Sequence, residues 1–325
     1  MKKKKWYACF VLTLLLSHAG FAQQPDTLIK KLDSLSARTD SAGGQNNNIN
    51  PKAYNEATKL TFSTYFTLLG SDFKQIATTP FHMTSRDWRK VGSFAVVAGA
   101  LAFADKPIQR EALKLRNRST TVRSISRQVT NFGGPYEVYT LVSLGAYGYI
   151  FKNEKIRTTT LLATQSYITS GAVSGIVKFL TGRERPYSTD PNAPQPTPAF
   201  HGPFYKGVKQ ANGKRLNNSF PSGHTTAAFS AATVYALEYK NRPLIPILSY
   251  SAATLIGLSR IAENKHWATD VLTGAALGYL TGRLVVNNYH RYAKLKAPRQ
   301  KRNNVSFNLQ YNDRVIMPGV VYTFR

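Results

Sequence analysis

The strongest constraint on the fold is a series of six apolar segments, each 12 to 20 residues long and bounded by charged residues or histidine. The segments are 91–104, 138–151, 158–177, 225–237, 243–259 and 271–282. Runs of this length exceed a typical strand and fit helices that pack side by side. Crossing a bilayer takes about 20 apolar residues, and only segment 158–177, which is rich in Thr and Ser, is that long. The pattern predicts an all-α fold, a helical bundle of about six core helices.

The composition indicates a folded, basic domain. Hydrophobic residues make up 42% of the chain, which is too many for a disordered protein. Lys and Arg total 43 against 16 acidic residues, a formal charge of +27, which suggests a membrane surface or a phosphorylated substrate as partner, or simply a solvated basic surface. No nucleic-acid-binding module is present, so we expect no nucleic-acid partner. A mean hydropathy of −0.28 argues against a chain that is mostly embedded in lipid.

Residues 1–22 have the form of a signal peptide. A lysine-rich start and a short apolar run precede Gly20 and Ala22, which are small residues at positions −3 and −1 of a cleavage site before Gln23. The chain has one cysteine, Cys9, which lies in this segment. That count excludes an intramolecular disulfide, a zinc finger and cysteine catalysis. We therefore expect an exported protein.

The remaining chain divides into three parts. Residues 23–57 carry apolar residues at helical spacing and then a Gly- and Asn-rich linker, which predicts a short amphipathic helix and a flexible connection. Residues 58–290 form the helical domain. Residues 291–325 are a basic tail in which 305–311 and 315–324 alternate apolar and polar residues, and this predicts a β-hairpin.

Polar clusters lie at the ends of the apolar segments. Lys178 closes the third segment and is followed by Arg185 before a proline; alone, these are two cations at a helix end. Ser222, Gly223 and His224 open the fourth segment. A Ser-Gly turn before a helix exposes backbone N–H groups at the positive end of the helix dipole, which is a ready anion site. The simpler interpretation is an ordinary N-cap by Ser222.

A third cluster consists of Arg260, His266 and Asp270. Because His266 and Asp270 are four residues apart, they would share one helix face, and Asp270 could accept one ring N–H and leave the other nitrogen free as a nucleophile. A structural His–Asp pair is the alternative. Together the clusters supply three cations, two histidines, one carboxylate and a backbone anion site around one long loop, residues 187–218. Phosphoryl transfer without a metal requires such a set, because phosphate oxygens need positive charge and the leaving oxygen needs a proton.

These clusters resemble the three signature motifs of the type 2 phosphatidic acid phosphatase superfamily. That group includes bacterial class A non-specific acid phosphatases, membrane lipid phosphatases and vanadium haloperoxidases. The motifs KxxxxxxRP, PSGH and SRxxxxxHxxxD are present in order, without a departure, from Lys178 to Asp270. The similarity covers roughly residues 85–290, and so excludes the linker and the hairpin. It implies a helical bundle that acts as a phosphoric ester hydrolase.

The resemblance also implies a role for each motif residue. His266 would attack phosphorus to form a phosphohistidine, Asp270 would orient it, and His224 would protonate the leaving alkoxide and then activate water. The residues that would bind the phosphate are Lys178, Arg185, Ser222, Gly223 and Arg260. No metal or cofactor is implied, and vanadate would act as an inhibitor. Nearby cations would keep His266 neutral, whereas a bound phosphate dianion would favour protonated His224 and produce a bell-shaped pH profile.

Two other functions fit the same residues. The site could bind vanadate through His266 and oxidise halide with peroxide, as a vanadate-dependent haloperoxidase would; known relatives of that kind are much longer. A non-catalytic envelope scaffold could keep the fold, although the intact motifs argue against it. Halide oxidation that depends on added vanadate separates the first of these from a phosphatase.

The sequence constrains the cellular location and the substrate less than it constrains the fold and the site. If six helices spanned the membrane after signal cleavage, the first motif would face the cytoplasm, the wrong side for an exported phosphatase. With the short helices, this favours a periplasmic protein, soluble or peripheral to the membrane, over an integral inner-membrane protein. The substrate could be a lipid phosphate, a lipid pyrophosphate or a small phosphomonoester, and we expect loop 187–218 to select it. The sequence does not predict an oligomeric state.

Overall fold

The computed structural model describes residues 60–187, 196–207, 216–296, 304–312 and 315–323. In this part of the chain, nine α-helices are followed by one antiparallel β-hairpin. The helices are α1 (Phe62–Thr78), α2 (Ser85–Phe103), α3 (Asp105–Arg118), α4 (Thr120–Phe132), α5 (Pro135–Ile150), α6 (Glu154–Thr181), α7 (Gly223–Glu238), α8 (Leu244–Ala262) and α9 (Ala268–Lys296), and the strands are β1 (Asn304–Asn312) and β2 (Val315–Thr323). The predicted signal peptide and the segment 23–57 lie outside the described residues.

The all-α prediction is confirmed. The six apolar segments correspond in order to α2, α5, α6, α7, α8 and α9. Three further helices, α1, α3 and α4, complete the bundle; charged residues interrupt α3 and α4, whereas α1 begins in an uncharged run, residues 60–71, that the six segments did not include. The last helix continues six residues beyond the domain end predicted at residue 290.

Helix α7 lies at the centre and packs against α6, α8 and α9. Its contact with α9 is made through glycine. A β-carbon at Gly274 would lie 2.7 Å from the carbonyl oxygen of Ser222, and one at Gly282 would lie 2.5 Å from that of Ser230. Gly278 meets α7 in the same way. The two helix backbones are therefore in direct contact along three turns, and we call this row of glycines the glycine seam.

The bundle has polar groups inside and apolar groups outside. On α6 the buried residues are mostly threonine and serine, whereas its isoleucine and phenylalanine side chains face outward. On α8, Leu244, Leu248 and Leu255 are likewise exposed, although its buried side also holds the apolar residues Ile256 and Ile261. Helix α8 is the one described helix with the length and hydropathy of a membrane span; α2 and α3 also qualify if the pair, bent by 59°, is counted as one broken span. Such an arrangement is the reverse of the usual distribution in a water-soluble domain.

The hairpin prediction is confirmed in the described part of the tail. Strands β1 and β2 pair antiparallel, with Asn304 opposite Thr323 and Asn312 opposite Val315.

Four helix termini meet at one end of the bundle. Helix α6 ends at Thr181 and is followed by Gly182, whose φ of 55° is the left-handed conformation that favours glycine and whose N–H donates to the Lys178 carbonyl at 3.0 Å. A β-carbon at Gly182 would collide with the Gly202 carbonyl, so this tight turn accepts only glycine. The turn brings the chain after α6 beside the start of α7, the end of α8 and the start of α9, which carry the predicted site residues.

Candidate active site

His266 forms the buried floor of the site. Its side chain is 1% exposed, and its Nδ1 atom lies 2.8 Å from the backbone carbonyl oxygen of Ser219. A carbonyl can only accept a hydrogen bond, so Nδ1 carries the proton and Nε2 keeps a free lone pair. The structure therefore gives His266 the tautomer that a nucleophile needs.

The predicted hydrogen bond from His266 to Asp270 is replaced by a longer contact. The Asp270 Oδ2 atom lies 3.5 Å from Nδ1, while the ring N–H points to Ser219. The reason is local: α9 begins at Ala268, so His266 precedes the helix and the four-residue helical spacing does not apply. Asp270 still faces the ring and can stabilise positive charge on it.

Asp270 is held by three donors. The Ser219 hydroxyl donates to Oδ2 at 2.5 Å, the Trp267 N–H donates to Oδ2 at 2.9 Å, and Arg183 Nη1 donates to Oδ1 at 2.5 Å. Burial raises the pKa of Asp270, and the charge of Arg183 and these hydrogen bonds oppose that rise. Asp270 thus orients His266 through Ser219, whose hydroxyl it binds and whose carbonyl receives the ring N–H.

Three cations, which we call the cage cations, come from three places in the chain. Lys178 Nζ donates to the Asn218 carbonyl at 3.1 Å, and Arg185 Nε donates to the Asn218 side-chain oxygen at 2.9 Å. Arg260 is 6% exposed and donates from Nη1 to the Thr130 hydroxyl at 2.8 Å. Asn218 and Thr130 were not predicted, because no motif or spacing marks them as partners of these cations.

The first-turn N–H groups of α7 are not capped by a side chain. Ser222 occupies the N-cap position without capping the helix by its side chain; its hydroxyl instead accepts from the Thr225 hydroxyl at 2.8 Å. The alternative of an ordinary side-chain cap at Ser222 is therefore wrong. A β-carbon on Gly223 would lie 3.5 Å from Lys178 Nζ, so the first-turn N–H groups and the lysine adjoin one another.

The electrostatics of the site act on both histidines. Burial, followed by the charge of Arg260 and the other cage cations, lowers the pKa of His224 to about 3. Burial, followed by the charge of Arg185 and the other cage cations, lowers the pKa of His266 well below its usual value. Both rings are therefore neutral before a ligand binds. A bound phosphate dianion would offset the cations and raise the pKa of His224.

All eight predicted site residues lie at this end of the bundle. His224 packs against the turn between α4 and α5, where a β-carbon on Gly134 would lie 3.0 Å from His224 Nε2. Loop 187–218 is described at residues 187, 196–207 and 216–218, which contain no helix or strand. Among the described residues, no three His, Cys, Asp or Glu side chains are grouped so that they could hold a metal ion. Whether the chemistry proceeds without a metal stays a prediction.

Comparison with known proteins decides the family. Residues 159–294, which contain every predicted site residue, match the family model described as the PAP2 superfamily. This part of the chain is a PAP2 domain. The PAP2 match begins in α6 and ends in α9, so α1 to α5 lie outside it.

Relatives of the PAP2 domain include two curated phosphatases. A lipid A 1-phosphatase of Porphyromonas gingivalis is 53% identical over 68 residues, which are 21% of this chain and 15% of that protein. Lipid phosphate phosphatase 1 of Arabidopsis thaliana is 29% identical over 160 residues, 41% of this chain and 48% of that protein. The chain thus spans less than half of either relative.

A solved structure with a similar fold is the transmembrane PAP2-type phosphatidylglycerolphosphate phosphatase of Bacillus subtilis. It is 21% identical, its TM-score is 0.42, and the alignment covers 64% of this chain and 94% of that one.

Proposed function

We propose that this chain is a phosphatase that hydrolyses lipid phosphates or lipid pyrophosphates through a phosphohistidine intermediate. One observation carries the proposal: the Ser219 carbonyl fixes the proton of His266 on Nδ1, so that Nε2 presents its lone pair among the cage cations. Neutral imidazole surrounded by fixed positive charge is suited to attack an anionic phosphorus.

The first step transfers the phosphoryl group to the enzyme. The lone pair of His266 Nε2 forms a bond to phosphorus while the bond from phosphorus to the leaving oxygen breaks. His224, protonated when the dianion binds, gives its proton to that oxygen. The phosphorylated ring is cationic, and Asp270, 3.5 Å from Nδ1, stabilises it.

The second step returns the enzyme to its starting state. Neutral His224 takes a proton from water, the water oxygen bonds to phosphorus, and the electron pair of the phosphorus–nitrogen bond returns to Nε2. The cage cations and the N–H groups of Gly223 and His224 hold the phosphate oxygens during both steps.

Metal independence follows from this account, because the positive charge comes from Lys178, Arg185 and Arg260. Phosphate release is expected to survive EDTA within about twofold, and vanadate is expected to inhibit competitively. The measurement is initial rate with and without chelator and over a vanadate series. Loss of activity with EDTA that magnesium restores would contradict the mechanism. Halide oxidation that requires vanadate and peroxide would instead support the haloperoxidase alternative.

The outer surface beside the site favours a lipid over a soluble phosphomonoester. Phe179 follows Lys178 directly, is 54% exposed, and packs edge-on against Phe204 at a ring separation of 5.4 Å. Leu180 and Ile176 extend the same exposed apolar surface. A phosphate bound at Lys178 would therefore carry its hydrocarbon chains across an apolar surface. The names of the two relatives also specify lipid substrates.

The proposal includes association with a membrane. The outward apolar side chains of five of the six apolar segments, all but the central 225–237, would contact lipid, and the polar groups between helices would be satisfied inside the bundle. The low mean hydropathy comes from that polar interior together with the charged segments, so it does not oppose a lipid environment. Every predicted site residue lies outside the six segments and would therefore lie at the edge of the bilayer. Export is supported by the form of residues 1–22. A site that faces the periplasm then requires that the six segments associate with the membrane without all of them crossing it.

A substrate panel on detergent-solubilised protein tests the function. We expect phosphate release from a long-chain lipid phosphate with a kcat/KM at least about tenfold above that for p-nitrophenyl phosphate. Phe179→Ser should lower kcat/KM for the lipid and leave the soluble ester unchanged. Phe103→Ser is the matched control, since Phe103 is 91% exposed and lies on α2. If no substrate released phosphate, the result would contradict the proposal and favour the alternative of a non-catalytic envelope scaffold.

The pH profile is expected to depend on the cage cations. In the free enzyme, protonation of His266 removes the nucleophile, so kcat/KM falls at low pH. Arg185→Gln removes the positive charge that lowers the pKa of His266 most among its neighbours. The pKa of His266 then rises towards its usual value, and the acid limb of kcat/KM moves to higher pH. The profile is measured with substrate ionisation divided out, and exposed Arg118 supplies the control variant Arg118→Gln. If the acid limb of kcat/KM did not move in Arg185→Gln, that limb would not report the protonation of His266.

A further inference from the structure

A third cation in the first motif faces away from the cage. Arg183 lies between Lys178 and Arg185 in the sequence, is 0% exposed, and donates to Asp270 and to the Thr269 hydroxyl from Nη1 at 2.5 and 2.6 Å. Its Nη2 donates to Asp105 at 2.6 Å, and its Nε donates to the Pro198 carbonyl at 3.0 Å. Every nitrogen of the guanidinium group therefore has a partner.

Asp105 completes this arrangement from outside the PAP2 match. It is the first residue of α3, where the chain bends between α2 and α3, and it is fully buried. Its Oδ1 accepts the Thr269 N–H at 3.0 Å, and its Oδ2 accepts the Thr269 hydroxyl at 2.6 Å. Asp105 thus holds both Arg183 and the first turn of α9, the turn that carries Asp270.

The surroundings of Arg183 exclude water. The rings of Phe200 and Phe220 lie 4.6 and 5.9 Å from its guanidinium carbon. In such a dry place one guanidinium between two carboxylates is the counter-charge for both. Without Arg183, Asp270 would have no cation in contact on this side, and burial would favour its protonated form. A protonated Asp270 could neither stabilise a cationic His266 ring nor accept from both Ser219 and Trp267 in the same way.

We propose that the buried pair of Asp105 and Arg183 is a positioning device that keeps Asp270 ionised and aligned behind His266. The inference rests on the proposed function, because it assigns these residues an effect on phosphoryl transfer. It also makes the junction of α2 and α3, outside residues 159–294, part of the catalytic assembly. Neither residue contacts the phosphate; both act through Asp270.

The experiment compares a double variant that lacks the Asp105–Arg183 pair with a control double variant that lacks a different ion pair of the bundle. In Arg183→Met with Asp105→Leu, Asp105 is removed together with its counter-charge, and Asp270 is the one buried carboxylate of the pair of ion pairs that loses its cation, so folding is preserved better than in Arg183→Met by itself. We expect kcat to fall by roughly 10–100-fold, the usual loss when a supporting group behind a reacting residue is removed. The inhibition constant of vanadate should stay within about threefold, since the cage cations are unchanged. The acid limb of kcat should move to higher pH, because an unpaired Asp270 must now ionise.

The control is Lys155→Met with Glu238→Gln, another close ion pair at the opposite end of α7, joined at 2.6 Å. That variant should keep wild-type kcat. If the double variant at Arg183 and Asp105 does not fold by circular dichroism, Arg183→Lys takes its place; it keeps the buried charge and loses the four-partner geometry. A folded variant with wild-type kcat and an unmoved acid limb overturns the inference, whereas inactive wild-type protein overturns the proposed function instead.

Discussion

Replacement of His266 by alanine is expected to abolish turnover while the bundle stays folded. The ring carries the lone pair that attacks phosphorus. The other histidine near the cage cations in the described site is His224, and its Nε2 packs against Gly134 instead of lying beside Asp270. Rapid quench of wild-type protein with a labelled substrate should trap an acid-labile phosphoenzyme, and the alanine variant should trap none.

His82→Ala is the matched control for this experiment. His82 is exposed on the short turn between α1 and α2, far from the site in the fold, and its removal should leave both turnover and the phosphoenzyme unchanged. If His266→Ala kept more than a few per cent of wild-type activity, another group would be the nucleophile.

Replacement of Arg260 is expected to remove most of the activity, even when the new residue keeps the positive charge. The Thr130 hydroxyl fixes one end of the guanidinium at 2.8 Å, while Nε is buried and has no partner among the described residues. Free N–H groups on a planar fork can bind two phosphate oxygens at once, which a lysine ammonium cannot do. If this contact tightens in the transition state, its loss should lower kcat by about 10²–10³ and change KM little. We therefore expect Arg260→Lys to be nearly as inactive as Arg260→Ala.

The measurement is kcat and KM for both variants, with folding checked by circular dichroism. Arg283→Lys, a substitution at an exposed arginine on α9, should behave as wild type. Wild-type turnover in Arg260→Lys would mean that position 260 needs only a positive charge, and it would remove the bidentate contact from the mechanism.

The motifs predicted which residues form the site but not how they are held. The spacing of His266 and Asp270 suggested a direct bond on one helix face, and it was misleading because α9 begins two residues after His266. Arg183 occupies a position that its motif leaves variable, and its partner Asp105 lies 78 residues earlier in the chain. Contacts between residues so far apart in the chain form only in the folded bundle, so no local sequence pattern predicts them.

The sequence also did not predict which side chains of the bundle face outward, because that too depends on contacts between helices. Segment lengths and mean hydropathy describe how many apolar residues there are, not which way they face. On α6 the threonines and serines lie inside and the isoleucines outside, and this arrangement is visible only once the neighbouring helices are in place. The all-α class, in contrast, followed directly from the six segments, because each is long enough to require a helix.

The glycine seam bears on how such an enzyme can change its substrate. His224 stands at the start of α7, and Asp270 stands at the start of α9, beside His266, so the spacing of the two histidines is set by two backbones that already touch. A larger headgroup cannot be admitted by separating these helices, and alanine at Gly278 would push α9 away from Thr226 of α7 and change the spacing of the two histidines. If the chain acts as proposed, adaptation to a new lipid is therefore confined to residues outside this helix pair, such as loop 187–218 and the exposed pair of Phe179 and Phe204. An engineer seeking a new specificity should exchange that loop and leave the helix pair untouched.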